Sequence, residues 1–140
     1  MKKFLKLTLV STLVATSFSS FSSFAGWTDG KVQFGVYGGQ ELRKVDGDSD
    51  YPSRTAPSET TSGVISIGGQ SSSYSTSVTY ETKDGQHRCR FTAGYYSNNY
   101  GPVYTSKGEP LTPGTDCSIS LSGEKYGKPY GFAMNIAIYR

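Results

Sequence analysis

Histidine and cysteine are scarce in this chain, which contains one histidine and two cysteines among 140 residues. A Ser-His-Asp triad would have to use His87, and no Gly-x-Ser-x-Gly nucleophile elbow is present. A metal-dependent hydrolase is also not indicated, because one histidine and two cysteines that we expect to be oxidised leave few ligands for zinc. We therefore expect a protein that is not an enzyme and that holds no metal and no cofactor. Paired carboxylates for glycoside hydrolysis stay open, because spatial pairing is not visible in a sequence.

Long apolar runs are missing too, since the most apolar stretch, Leu7 to Ala15, is too short to span a bilayer. It follows three lysines within the first six residues and precedes a segment that ends in Ser23-Phe24-Ala25. This order is typical of a signal peptide, which we predict over residues 1–25. Gly26 follows instead of a cysteine that could carry a lipid. The sequence thus predicts a periplasmic or secreted chain that does not insert into a membrane.

The predicted mature chain also lacks a surplus of positive charge. The whole chain has 14 Lys+Arg against 11 Asp+Glu, and the three excess positive charges belong to residues 1–25. Nucleic acids and anionic membrane surfaces select proteins with excess positive charge. We expect instead an exported protein or a glycan as the partner of a single domain over residues 26–140, with the choice between monomer and homo-oligomer open.

Cys89 and Cys117 both fall on strand-like segments of a chain that we expect to be exported. Disulfides form and persist in oxidising compartments, so we predict a bond between these two cysteines. The alternative is a reactive Cys89 thiol activated by His87, two residues earlier on the same strand face.

The sequence lacks the 3.6-residue apolar period of amphipathic helices after residue 25, and an alternation of period two takes its place. The clearest example is Tyr74 to Ala93, where two alternating runs flank the turn Lys83-Asp84-Gly85-Gln86, as in a β-hairpin. Further strands are predicted at Lys31 to Tyr37, Gly63 to Ile67, Thr115 to Leu121 and Gly131 to Tyr139. This pattern predicts an all-β fold, a single antiparallel β-sandwich of jelly-roll type.

Residues 44–62 are rich in Asp, Ser, Thr and Pro and predict a long exposed loop. Three aspartates have the i, i+2, i+4 spacing of a calcium-binding loop: Asp46, Asp48 and Asp50. Tyr51 stands where such a loop needs glycine, and Pro57 stands where it needs a bidentate glutamate. A solvated acidic loop is the favoured interpretation, and a weak cation site is the alternative.

The segment from Tyr95 to Tyr104 places four tyrosines among Ser, Asn and Gly: Tyr95, Tyr96, Tyr100 and Tyr104. Tyrosines among small polar residues are typical of binding loops. We predict a binding loop here, with a short strand at Val103-Tyr104. The alternative is that these tyrosines cover an open end of the sandwich.

A small basic ridge is predicted on the outer face of the hairpin. It consists of Arg88 and Arg90, with Lys83 at the turn. A solvated face is the favoured interpretation.

The spacing of segments between residues 62 and 139 resembles that of a known family. The segments are Ser62-Gly63-Val64-Ile65, Tyr74 to Tyr80, Lys83 to Gln86, Gly101-Pro102 and Asn135-Ile136-Ala137-Ile138. Together they resemble the periplasmic inhibitors of goose-type and invertebrate-type lysozymes, which share a β-sandwich with pre-peptidase C-terminal domains. The resemblance implies this sandwich and an inhibitor of a lysozyme-type glycosidase.

In those inhibitors a Ser-Gly-x-Tyr or Ser-Gly-x-x-Tyr element enters the lysozyme cleft. The match here is Ser122-Gly123-Glu124-Lys125-Tyr126, one strand later than the family's position, which in this chain reads Pro113-Gly114-Thr115-Asp116. An ordinary hairpin loop is the alternative interpretation of the match.

A lysozyme cleft holds two acidic residues, so an inhibitor would insert a hydroxyl and a cation. Two such pairs are expected on turns between strands: Ser122 with Lys125, and Ser106 with Lys107.

Two other functions stay open. The alternating C-terminal run of Phe132, Met134, Ile136 and Ile138 looks like the closing strand of a pilus subunit that assembles by strand donation. The tyrosine segment would suit an adhesin or the receptor-binding subunit of an exported toxin.

Overall fold

The computed structural model describes residues 28–56 and 61–140. The predicted signal peptide and Pro57 lie outside the described residues. The strands are β1 (Lys31–Val36), β2 (Leu42–Gly47), β3 (Thr61–Ser66), β4 (Ser73–Thr82), β5 (Arg88–Asn98), β6 (Gly101–Pro110), β7 (Asp116–Ser122) and β8 (Phe132–Tyr139). A single 3-10 turn, Tyr37–Gly39, is the one helical element of this part of the chain, where no helix is long and apolar enough to cross a bilayer. The all-β prediction is confirmed.

The strands form two four-stranded sheets, ordered β3-β1-β8-β7 and β2-β4-β5-β6. Inward side chains of both sheets share one apolar core, in which Phe34 of β1 stacks on Tyr80 of β4 with ring centroids 5.3 Å apart. The arrangement is therefore sandwich-like, as predicted. The jelly-roll connectivity is not confirmed, because β4, β5 and β6 follow one another as a meander.

One strand pairing differs from the predicted antiparallel arrangement. β1 runs parallel to β8, with Val32 opposite Phe132 and Val36 opposite Ile136, whereas the other pairings between strands are antiparallel. Alternation shows which residues face the core but not which strands become neighbours. A pairing between strands about a hundred residues apart therefore could not be read from the local pattern.

The predicted loop at 44–62 is shorter than expected, since β2 extends to Gly47 and β3 begins at Thr61. Positions 45–50 are exposed, but the Tyr51 side chain is buried, with its ring edge-on to Phe34 and its hydroxyl 2.7 Å from Oγ1 of Thr76. The segment after β2 thus fills the side of the sandwich between the edge strands β2 and β3.

The predicted tyrosine loop is a β-hairpin, because β5 continues to Asn98 and the ten-residue β6 starts at Gly101. The short strand expected at Val103-Tyr104 is part of β6. Pro102 and Pro110 argued against a strand, yet they are tolerated because β6 is an edge strand of its sheet.

The disulfide prediction is confirmed. Cys89 of β5 and Cys117 of β7 are bonded, with their Cα atoms 5.8 Å apart, so the bond connects the two sheets. The reactive-thiol alternative is wrong, because the Cys89 sulfur is in this bond and Nδ1 of His87 lies 2.8 Å from Oγ1 of Thr115.

Candidate functional site

Four connecting segments meet at one end of the sandwich, which we call the tyrosine end. They are residues 28–30, 67–72, 99–100 and 123–131. The hydroxyl of Thr28 donates to the carbonyl of Gly123 at 2.7 Å, and the amide of Tyr130 donates to the carbonyl of Gly69 at 2.8 Å. These bonds connect segments that are distant in sequence into one surface.

The predicted Ser-Gly-x-x-Tyr element lies on this surface. Ser122 is the last residue of β7 and is exposed, and Gly123 turns the chain with a φ of 61° that favours glycine. Tyr126 follows on the loop and is 71% exposed. An exposed aromatic side chain of this size is a good candidate for contact with a partner.

Lys125 anchors the loop at three points. Its amide donates to the carbonyl of Gly131 at 3.0 Å, its carbonyl accepts from the Tyr104 hydroxyl, and its ammonium lies 2.8 Å from Oδ1 of Asp29. Lys125 lies between β7 and β8, as predicted, and its ammonium is paired with the Asp29 carboxylate. Lys128 on the same loop is exposed and, within residues 28–56 and 61–140, has no carboxylate partner.

A series of ring contacts connects the tyrosine hairpin to this loop. Ring centroids are 6.4 Å apart between Tyr74 and Tyr95, 5.7 Å between Tyr95 and Tyr104, and 6.1 Å between Tyr104 and Tyr126. Burial raises the pKa of the Tyr95 and Tyr104 phenols above their ordinary value of 10.0. The tyrosine segment and the Ser122–Tyr126 loop, which were predicted separately, thus form one continuous surface.

The four tyrosines of the predicted binding loop divide into two pairs. Tyr95 is buried and Tyr104 is half-buried, so this pair covers the end of the core, as the alternative interpretation proposed. Tyr96 is half exposed, and Tyr100, on the turn between β5 and β6, is 98% exposed. Only the second pair is available to a partner.

The sequence predicted Ser106 and Lys107 on a turn, and this prediction is wrong. Both are exposed residues within β6, and Lys107 pairs with Thr92 of β5. This position is on a sheet face, away from the β7–β8 loop. The family's expected position, Pro113 to Asp116, lies at the opposite end of the sandwich, where Thr115 contacts His87.

The β7–β8 loop and the residue before β1 surround a shallow open pocket of about 390 Å3. Its lining is Asp29, Gly123, Glu124, Lys125, Tyr126, Gly127, Lys128 and Pro129. Asp29 and Lys125 neutralise each other, which leaves Glu124, Lys128 and the Tyr126 phenol for an external ligand. The pocket can therefore accept polar and aromatic contacts from a partner.

The acidic residues after β2 interact locally. Oδ1 of Asp46 accepts from the amide of Gly47 at 2.9 Å, and Oδ1 of Asp48 accepts from the amide of Asp50 at 3.4 Å. Across the described ranges, no three His, Cys, Asp or Glu side chains are arranged to hold a metal ion.

Sequence reasoning missed Asp29, which precedes β1 and reaches Lys125 only through the folded structure. No local pattern marks this aspartate. Comparisons with protein-family models, with curated proteins and with solved structures found no match to this chain. The resemblance to lysozyme inhibitors therefore stays a prediction.

Proposed function

We propose that this protein is an exported, non-enzymatic binding protein that recognises another exported macromolecule through its tyrosine end. The leading candidate partner is a lysozyme-type glycosidase, which the protein would inhibit. The observation that carries the proposal is the exposed Tyr126 ring on a loop whose backbone and side chain are anchored at Lys125.

Anchoring matters because a binding loop that is already ordered loses little conformational entropy when it meets its partner. The Tyr104 hydroxyl and the Asp29 carboxylate both fix Lys125, and the next residue carries the exposed ring. Large aromatic side chains at the centre of an interface commonly contribute most of the binding free energy. The geometry thus supports Tyr126 as the central contact.

The glycosidase proposal rests on charge as well as on the resemblance. A lysozyme cleft holds two carboxyl groups, and the β7–β8 loop carries an exposed hydroxyl at Ser122 and an exposed ammonium at Lys128. Lys128 thus replaces Lys125 as the proposed cation. The Cys89–Cys117 bond supports an oxidising compartment, where such partners occur.

The pilus-subunit alternative has no support in the strand pairing. β8 hydrogen-bonds to β1 on one side and to β7 on the other, so it has no free edge for strand donation. An adhesin or toxin subunit is the second candidate, and the nearly complete exposure of Tyr100 favours it.

Titration of the exported protein against chicken-type, goose-type and invertebrate-type lysozymes tests the proposal. The protein is purified from the exported fraction, where its intact mass shows whether it begins at Gly26. We expect inhibition of cell-wall clearing by at least one of these enzymes, and calorimetry gives its dissociation constant. If none of the three is inhibited at micromolar protein, the inhibitor proposal is discarded and Tyr96 and Tyr100 are tested against glycans.

Tyr126→Ala is expected to weaken binding about 30-fold, which corresponds to about 2 kcal/mol for a central aromatic residue. Tyr139→Ala is the matched control, because Tyr139 is 49% exposed at the far end of β8. Its dissociation constant should stay within about twofold of the wild-type value. Equal losses in both variants would show that the tyrosine end is not the interface.

A further inference from the structure

A second group of charged side chains lies away from the tyrosine end, beside the start of β2 and the β4–β5 turn. It surrounds a cavity of about 170 Å3 lined by Glu41, Leu42, Arg43, Arg54 and Lys83. Three of these residues are cationic and one is anionic. We call this the arginine cavity.

The Arg43 guanidinium is held by the Glu81 carboxylate. The Glu81 carboxylate is buried and accepts from Nε of Arg43 at 2.8 Å and from Nη2 of the same group, while its other oxygen accepts from Nη2 of Arg88 at 2.8 Å. The two guanidinium groups lower the pKa of Glu81, so the carboxylate stays ionised. One negative charge thus orients two positive charges that are themselves half exposed to solvent.

Arg54 adds a positive charge with no counterpart. It pairs directly with Arg43 in an isolated antiparallel bridge, which the Thr55 amide extends by donating to the Leu42 carbonyl at 3.0 Å. Like charges directly across a strand pair are unfavourable. Within residues 28–56 and 61–140 no carboxylate forms an ion pair with Arg54.

Lys83 is only weakly compensated. Its ammonium lies 3.6 Å from the Glu41 carboxylate, and the Lys83 side chain is 80% exposed while that of Glu41 is 40% exposed. Such a pair contributes little in water and competes poorly with a multiply bonded anion. The cavity therefore has a net positive charge.

We propose that the arginine cavity binds a tetrahedral oxyanion of the phosphate or sulfate class. The cavity is smaller than the roughly 300–1,000 Å3 of sites for drug-sized ligands, so it suits a single anionic group. Guanidinium groups bind phosphate-type oxygens through paired N–H donors. A planar carboxylate is satisfied by one such fork, whereas a tetrahedral oxyanion presents oxygens to cations on three separate segments, as Arg43, Arg54 and Lys83 are.

The site is tested by NMR titration of the 15N-labelled protein with sodium phosphate, sodium sulfate and sodium acetate at constant ionic strength. Phosphate and sulfate should give saturable shifts at the amides of Arg43, Arg54 and Lys83, with dissociation constants on the order of 1 mM. Acetate should bind at least about threefold more weakly, because it offers only two oxygens. A titration with glucose 6-phosphate distinguishes a free ion from a phosphorylated molecule as the ligand. An affinity equal to that for inorganic phosphate would indicate the free ion, and a higher affinity would indicate the larger molecule. Both results support the site.

Arg54→Gln is the decisive variant, because Arg54 is exposed and its loss should leave the fold intact. Phosphate affinity should fall about fivefold or more, a change expected for one charge-assisted contact. Arg90→Gln is the control, since Arg90 lies near Glu109 outside the cavity, and its affinity should stay within about twofold. Shifts that do not saturate, equal affinity for acetate, or wild-type affinity in Arg54→Gln would overturn the proposal.

Discussion

Glu81 of β4 binds arginines of both neighbouring strands on the outer face of the sheet β2-β4-β5-β6. Alternation places it on the face away from the core, where an exposed acid is expected. The structure buries it beneath Arg43 and Arg88, which lie on the strands that flank β4. Its burial could not be predicted from the sequence, because the partner Arg43 lies on β2, a strand that local alternation did not reveal.

Glu81→Gln should lower the free energy of unfolding by about 2 kcal/mol at neutral pH. Breaking a buried ion pair costs about 3–5 kcal/mol, and the partial exposure of both arginines reduces that effect here. Glu41→Gln is the matched control, since the Glu41–Lys83 pair is exposed and should contribute less than about 0.5 kcal/mol. Urea unfolding of the three proteins gives the comparison, and equal effects of the two substitutions would contradict the role of Glu81.

The same residue predicts a pH dependence. The folded-state pKa of Glu81 is below its ordinary value of 4.5, because Arg88 and Arg43 donate to the carboxylate. Its stabilisation is therefore fully present above the ordinary value and is lost as the pH falls through the lower folded-state pKa. The stability difference between wild type and Glu81→Gln should shrink between about pH 7 and about pH 3 in urea unfolding. A constant difference would show that Glu81 does not titrate in this window.

At the scale of the elements, alternation of apolar and polar residues in the sequence predicted most of the strands. β1, β3, β4, β5, β7 and β8 were all predicted. β2 was missed because Leu42 is its only fully buried residue, and β6 was predicted only at Val103-Tyr104 because its glycines and prolines are typical of loops. β2 and β6 are both edge strands, but so are β3 and β7, which were predicted, so the edge position alone does not explain the difference.

At the candidate site, too, the sequence predicted segments but not the contacts between them. The loop at Ser122 to Tyr126 was predicted from the family resemblance, and the tyrosine segment was predicted from its residue types. Their contact through Tyr104 was not predicted, because it depends on how β6 and β7 of different sheets lie next to each other.

The segment that follows β2 should depend on Tyr51. Tyr51→Ala is expected to lower the free energy of unfolding by about 3 kcal/mol, because it leaves a cavity against Phe34 and Met134. It should also speed tryptic cleavage after Arg54, since the segment loses its buried anchor.

Tyr51→Phe serves as the control for the ring. It should cost only about 1 kcal/mol, the contribution of the hydrogen bond to Thr76. If Tyr51→Ala were as stable as Tyr51→Phe, the segment would not be packed against the core as the structure indicates.

At the scale of the whole molecule, the Cys89–Cys117 bond connects sheets that otherwise share mainly apolar contacts. Replacing both cysteines by alanine should lower the free energy of unfolding by about 3 kcal/mol, because 28 residues separate them and the bond restricts the unfolded chain. Calorimetry should show a lower melting temperature. A reducing agent should lower the melting temperature of the wild type to a similar extent and leave the double variant unchanged, and a drop in the double variant would point to another cause.

The parallel pairing of β1 with β8 determines when the sheet β3-β1-β8-β7 can be completed during synthesis. β8 follows every other described strand in the chain, yet it lies between β1 and β7. The first sheet therefore cannot be completed until Phe132–Tyr139 has been synthesised, and this closure joins segments about a hundred residues apart, which slows folding. The sheet β3-β1-β8-β7 therefore stays incomplete until the end of synthesis, whereas β4, β5 and β6 can pair as soon as they have been made.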